Sequence, residues 1–238
     1  MKFHRTTLYI LLAVLLLPGC SSIEPIPYDR MKHGEISKIL LVWGGDPDQM
    51  LVDMNLHPGS GIGGALGAIV EGIDLKHKME KYNDAIEANS VEMSLSKTIN
   101  RTIIDKLQNE HYQVHAMDTP VGRHHEFLEN YEGYSADAFL DIRILYAGYR
   151  SKTSLAPYLP VIAVKVRMVD GNTGEDLYLA YYYYGVSSYL PEGVNKIEPS
   201  EAYTFSDIND LVTQSARSEL GLKNAAITIA DHIAIDIR

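Results

Sequence analysis

Several groups of residues in this chain have types and spacings from which chemistry could be built. Gly59-Ser60-Gly61-Ile62-Gly63-Gly64 satisfies the G-x-G-x-x-G pattern of a dinucleotide turn. That turn works directly after a strand, where its glycines bring a pyrophosphate to a helix N-terminus. Here about fifteen residues separate it from the end of the preceding apolar run at Trp43, so close packing is the better reading. Gly59, Gly63 and Gly67 recur every four residues and would form one small-residue stripe on a helix. Glu71 and Asp74 argue against burying that stretch in a bilayer. His124-His125-Glu126, with His111 and His115, raises a metal site. Adjacent histidines share no face of a regular element, there is no H-E-x-x-H, and His111 and His115 fall on an expected strand, so no metal is expected. Ser94-Leu95-Ser96-Lys97 is a literal S-x-x-K on an amphipathic helix, read as a solvated face. Asp137 and Asp141 are too generic a carboxylate pair to imply acid–base work.

The most specific chemistry lies at the N-terminus. Lys2, His4 and Arg5 precede an unbroken apolar run from Leu8 to Leu17, and Leu17-Pro18-Gly19-Cys20 follows, then Ser21-Ser22. The run is well short of the roughly 20 residues a helix needs to cross a bilayer. It has the length of a secretory h-region, about 7–15 residues. The closing Leu-x-Gly-Cys quartet resembles the lipobox of bacterial lipoproteins. That resemblance implies a signal peptide over residues 1–19 and a diacylglycerol thioether on Cys20. It also implies fatty acylation, with palmitate for example, of the amine that cleavage frees. Cys20 is the one cysteine of the chain, so an exported form could make no internal disulfide, and lipidation accounts for the thiol. Two or more acyl chains anchor stably where one does not. By the same resemblance, Ser21 after the cysteine implies sorting to the outer membrane, with the domain facing the periplasm.

Without residues 1–19 the chain keeps 219 residues, enough for one sizeable domain. The net charge of −10 disfavours nucleic acid, whose phosphates need clustered Lys and Arg. With 46% hydrophobic and 22% charged residues, the composition is that of a globular protein.

The elements that must position these groups follow from periodicity. Residues 20–35, with Pro25 and Pro27, read as an extended lipidated tether. Lys38 to Trp43 is a short apolar run closed by Gly44-Gly45-Asp46-Pro47, as for a buried strand. After the Gly-rich insert at 59–73, helical spacing runs over 85–109, with Asn89-Ser90 as a point of interruption. Residues 111–117 read as a strand, 118–135 as a polar loop and 136–146 as a strand with Leu140, Ile142 and Ile144 on one face. From 160 to 169, Ile162, Val164, Val166 and Met168 oppose Lys165 and Arg167. Asp170 to Glu175 is turn chemistry, and 177–186 returns as the hairpin partner. On that strand Tyr178, Tyr182 and Tyr184 share one face, with Tyr181 and Tyr183 on the other, giving either core packing or a protein-binding surface. Residues 190–200 read as a loop, and Ser206 or Asp207 can cap a helix through about Leu220. Residues 224–235 read as a last helix, with a strand left open by Ile227, Ile229, Ile233 and Ile235.

The order implies an α/β (or α+β) fold, a mixed sheet with a long antiparallel hairpin and flanking helices, in a single domain over 36–238. Ala136-Asp137-Ala138-Phe139-Leu140, then Val164 to Asp170 and Thr173-Gly174-Glu175, resemble a motif pair in periplasmic lipoproteins. These are the relatives of the curli secretion channel and of the lipoprotein activators of penicillin-binding proteins, and the likeness spans residues 36–186. It implies an assembly or activator module, with a protein partner or its own copies, no cofactor and no catalysis. A small-molecule or glycan-binding lipoprotein is the alternative.

Overall fold

The computed structural model describes residues 24–32, 36–54, 73–89, 94–153, 155–187 and 190–238. Its seven strands are β1 (Lys38–Trp43), β2 (Leu51–Met54), β3 (Gln113–Ala116), β4 (Ala138–Ser151), β5 (Tyr158–Asp170), β6 (Asp176–Tyr184) and β7 (Val194–Ile197). They form one mixed sheet in the order β3-β1-β4-β5-β6-β7, with β2 beside the far end of β4. β1 is parallel to both β3 and β4, while β4, β5 and β6 form an antiparallel meander. The helices are α1 (Ile73–Asn89), α2 (Leu95–Asn109), α3 (Ile208–Thr213) and α4 (Ser215–Asp236). The expected α/β mixed sheet with its long hairpin is what the chain forms.

Strand periodicity sets two faces. Leu140, Ile142 and Ile144 of β4, Ile162, Val164, Val166 and Met168 of β5, and Tyr178, Ala180, Tyr182 and Tyr184 of β6 meet the helices in one core. A register shift between Ile144 and Tyr146 inserts one residue into β4. The bulge keeps Ala147 and Tyr149 on the helix side, where strict alternation would have turned them out. It also lets β4 run to Ser151, beyond the expected end at 146. β2 takes up this extension by pairing Leu51–Met54 with residues 148–151. Four residues of ordinary polarity carry too weak an alternation to announce a strand.

The helices depart from expectation in two places. Helical spacing over 85–109 belongs to two helices: Ser94 starts α2 afresh, its hydroxyl accepting from Lys97 N at 3.2 Å. Ser94 and Lys97 are thus a helix start, and Ser96 donates from N and Oγ to Asp46, each at 2.7 Å. At the C-terminus Asp207 caps only the short α3, accepting from Asn209 N and Asp210 N. α4 then runs through 22 residues, crossing the boundary expected at 220–224. Leu222, Ala225, Ala226, Ile229, Ala230, Ile233 and Ala234 are buried while Ile227 and Ile235 are exposed. That is a period of 3.6, so the strand alternative falls. The segment 190–200, expected as a loop, supplies β7, whose residues pair with Tyr181–Tyr184.

Below β7 the edge of β6 is met by the N-terminal segment. Ile26 and Leu179 exchange two backbone hydrogen bonds of 2.9 Å each, as an isolated antiparallel bridge.

Gly148 sits where β2 presses on β4. Its φ is +151°, and a Cβ there would collide with the backbone of Leu51. Gly148→Ala is therefore expected to lower stability by roughly 2–4 kcal/mol, read as a fall in Tm. A variant within 1 °C of the parent, with 1 °C standing for about 0.3 kcal/mol in a domain of this size, would contradict the close approach.

Candidate functional site

The second sheet face carries the chain's concentration of buried charge. Successive side chains alternate, so Phe139, Asp141 and Arg143 of β4 face away from the helices, as do Lys165, Arg167 and Val169 of β5. Register sets Asp141 opposite Arg167 and Arg143 opposite both Lys165 and, across β5, the Tyr181 row. Two cations side by side repel unless an anion is shared. Asp141 supplies it. Its Oδ1 accepts from Arg143 Nε at 2.5 Å, and its Oδ2 accepts from Arg143 Nη2 at 3.1 Å. Neither side chain is exposed to solvent.

Alternation places these charges together on one face, and the structure covers that face with the loop of residues 117–137. Leu128 N and the Tyr131 hydroxyl donate to Asp141 Oδ2 at 2.9 and 3.0 Å. Arg143 Nη1 donates to Val121 O at 2.6 Å and Arg123 O at 3.0 Å. Arg167 Nη2 donates to Leu128 O at 2.5 Å and reaches the Tyr131 oxygen at 2.8 Å. The Tyr131 ring stacks on Phe139 with centroids 4.6 Å apart. Phe127 lies under Lys165 Nζ at 4.1 Å and the Arg167 guanidinium at 4.8 Å. Burial pushes the Lys165 ammonium below its ordinary value, the Asp141 carboxylate opposes that, and Arg143 adds to it. Burial, then Asp141, pushes the Tyr131 phenol up. The arrangement fastens a loop to a sheet, and the carboxylate and guanidinium at its centre face protein groups.

At the rim of this loop lies an open groove of about 370 Å³, lined by Glu129, Asn130, Tyr134, Phe139, Arg167 and Asp170 among others. Tyr134 is 47% exposed there. Near its floor Gly171 N donates to Asp137 O at 2.8 Å. The Asp137 carboxylate accepts from Ser37 N, Ser37 Oγ and Lys38 N at 2.9, 2.8 and 2.8 Å. Those backbone donors, then the hydroxyl, hold its carboxyl below the usual range. Asp137 and Asp141 therefore have separate structural partners and do not act as a pair.

The structure does not present the tyrosine strand as a binding surface. Tyr182 and Tyr184 are buried. The Tyr182 hydroxyl meets that of Tyr178 and donates to Asp236 Oδ2 at 2.5 Å. Tyr184 accepts from Ser200 N at 2.8 Å. On the other face Tyr183 is buried as well, donating to Val186 O at 2.7 Å. Long phenols in a pleated core need a partner for each hydroxyl, and here each has one. Burial, then the neighbouring Tyr178, pushes the Tyr182 phenol far up.

The histidines do not converge. His111 lies in the turn after α2 with φ of 71°, ahead of β3 instead of on it, while His115 is exposed on β3. His124 and His125 pack ring to ring at 4.7 Å in the loop. Burial, then His125, lowers the His124 pKa. Among the described residues no cluster of His, Cys, Asp and Glu could hold a metal, and no helix is long and apolar enough to cross a membrane. Cys20, Gly59, Gly63 and Gly67, with the G-x-G-x-x-G run, lie outside the described residues.

No protein-family model matches the chain, and no curated protein matches it. Among solved structures, a Caulobacter crescentus chain provisionally named a lipoprotein aligns with a TM-score of 0.34 at 12% identity, covering 66% of this chain and 91% of that one. A likeness of that order carries no argument about function.

Two outcomes test the site. Asp141→Ala leaves the Arg143 guanidinium buried without its anion, so stability is expected to fall by about 3–5 kcal/mol. Hydrogen exchange at the Leu128 amide should accelerate at the same time; unchanged protection there would contradict the fastening. Asp137, with its pKa lowered on folding, stabilises above the unfolded carboxyl value of about 3.9, and that contribution is lost as pH falls through the folded value. Asp137→Asn should thus lower Tm at pH 7 and flatten its decline below about pH 4; a parallel decline in both proteins would refute the assignment.

Proposed function

We propose that this chain is a lipid-anchored envelope protein and that its domain is a non-catalytic module binding another protein or its own copies. The observation that carries the reading is the quartet Leu17-Pro18-Gly19-Cys20 at the end of an uncharged apolar run. In that reading residues 1–19 are removed, Cys20 carries the acyl chains at the outer membrane, and the domain faces the periplasm. The non-catalytic part is supported by where the ionisable groups lie. Asp137, Asp141, Arg143 and Arg167 are bound to backbone and side chains that shape the fold.

A second reading has one specific observation in its favour. The groove beside Tyr134 combines aromatic walls with Glu129, Asn130 and Arg167, a lining suited to a hydroxylated ligand such as a sugar. This moves the glycan alternative away from the tyrosine strand, which is buried.

Metabolic labelling with a palmitate analogue should mark the chain, and Cys20→Ser should abolish the mark; a labelled Cys20→Ser protein would sink the anchor. In-cell crosslinking with mass spectrometry should capture an envelope protein or a second copy. Capture at background level, together with saturable sugar binding that Tyr134→Ala weakens, would decide for the second reading.

A further inference from the structure

Resting on the lipid-anchor reading, the position of the N-terminal segment limits how the domain can stand on a membrane. Glu24 is the first described residue, and Ile26 is already fixed to the sheet by its two hydrogen bonds with Leu179. Tyr28 packs against the main core, and the Arg30 guanidinium lies 5.6 Å above the Tyr112 ring. The segment is therefore a strap held at several points, and the free leash toward the acylated cysteine is shorter than the sequence suggests. From Glu24 back to Cys20 there are four residue steps, which span at most about 14 Å when fully extended. That bound is covalent and holds whatever conformation those residues take.

The strap pairs antiparallel to β6 on the edge that β7 also uses, since Ile26 pairs with Leu179 and Val194 with Tyr181. Residue 24 consequently lies toward β7. A groove of about 400 Å³ lies between strap and edge, lined by Pro25, Pro27, Tyr28, Tyr178, Asn195 and Asp236 among others. Asn195 and Lys196 on β7 are exposed, a polar pair compatible with headgroups. The opposite edge of the sheet, β3, lies five strand positions away from β7, or about 24 Å at the usual strand spacing. The strap runs from Ile26 beside β6 to Arg30 at Tyr112, just ahead of β3, so its anchor end alone lies at the β6–β7 edge. We propose that this edge, where the strap begins, is the face turned to the lipid surface, and that β3 points away from it.

The orientation also assigns a membrane-distal half to the molecule. β2 pairs with β4 on the side away from β5, so Leu51–Met54 lie in the half remote from the anchor.

The test uses the full chain, processed in cells and reconstituted in phosphatidylethanolamine–phosphatidylglycerol vesicles that contain doxyl-labelled lipid. With Cys20 acylated and no other cysteine in the chain, Asn195→Cys or Gln113→Cys provides a single thiol for a bimane label. Both positions are exposed in the parent. Quenching by the doxyl lipid should be at least about twofold stronger at 195 than at 113, given the separation of the two edges. Inserting about twenty Gly/Ser residues between Ser22 and Ile23 adds a root-mean-square span of about 25 Å and should remove the difference. Equal quenching at the two sites, or stronger quenching at 113, in protein whose mass shows the diacylglyceryl group would overturn the orientation alone. A chain that carries no acyl group would overturn the lipid-anchor reading, and this proposal with it.

Discussion

An arginine and an aspartate two positions apart on β4 hold together the half of this protein that its helices do not reach. Helices cover one face of the sheet; the other would expose Val42, Phe139, Val161, Ala163, Val169 and Tyr183, all buried in the folded chain. Part of that cover is an irregular loop, and irregular backbone has polar groups that need partners wherever it is buried. Asp141 and Arg143 provide them, binding Leu128 N, Val121 O and Arg123 O from beneath. A buried ion pair is a poor source of net stability, because desolvation cancels most of the attraction. Here its role is specification: it selects one conformation for a loop that hydrophobicity alone would leave loosely placed.

The same logic runs through the tyrosines. A strand reading Tyr181-Tyr182-Tyr183-Tyr184 suggests adhesion, yet both of its faces are covered. On the helix side the phenols reach toward Asp236 near the end of α4 and toward Ser200 in the segment after β7. The hydroxyls tie the C-terminal elements to the sheet across more than 50 residues of sequence in the case of Tyr182 and Asp236. Tyr134, beside its groove, stays 47% exposed.

Elements with a strong period are legible in the sequence, and those without one are hidden for specific physical reasons. β4 and β5 alternate apolar and charged residues over Leu140–Ile144 and Val164–Met168, and turn chemistry at Asp170–Glu175 closes the β5–β6 hairpin. There Asp170 Oδ1 accepts from Asn172 N and Thr173 N. β2 and β7 are four residues each, too short for alternation to rise above chance. In α4 the outward-facing Leu220, Ile227 and Ile235 obscure the apolar stripe in sequence, whereas the buried Ala and Ile positions continue through it. The charged cluster had a legible trace: Asp141 and Arg143, like Lys165 and Arg167, lie two apart opposite an apolar row. Period 2 places them together on a face; it does not say whether water or a loop lies over them.

The sequence by itself determined the mixed α/β order and, as far as the bulge in β4, which residues share each sheet face. These depend on composition and local period, which neighbouring residues carry in full. Only the tertiary structure decided that the second face is covered, that the tyrosines are core, and that the N-terminal segment is pinned to β6 by Ile26. Each of those is a contact between residues far apart in the chain, such as Leu179 with Ile26 or Arg143 with Val121. Such a contact forms because a polar group left unpaired at that place would cost free energy, and that cost exists only after the chain has come together.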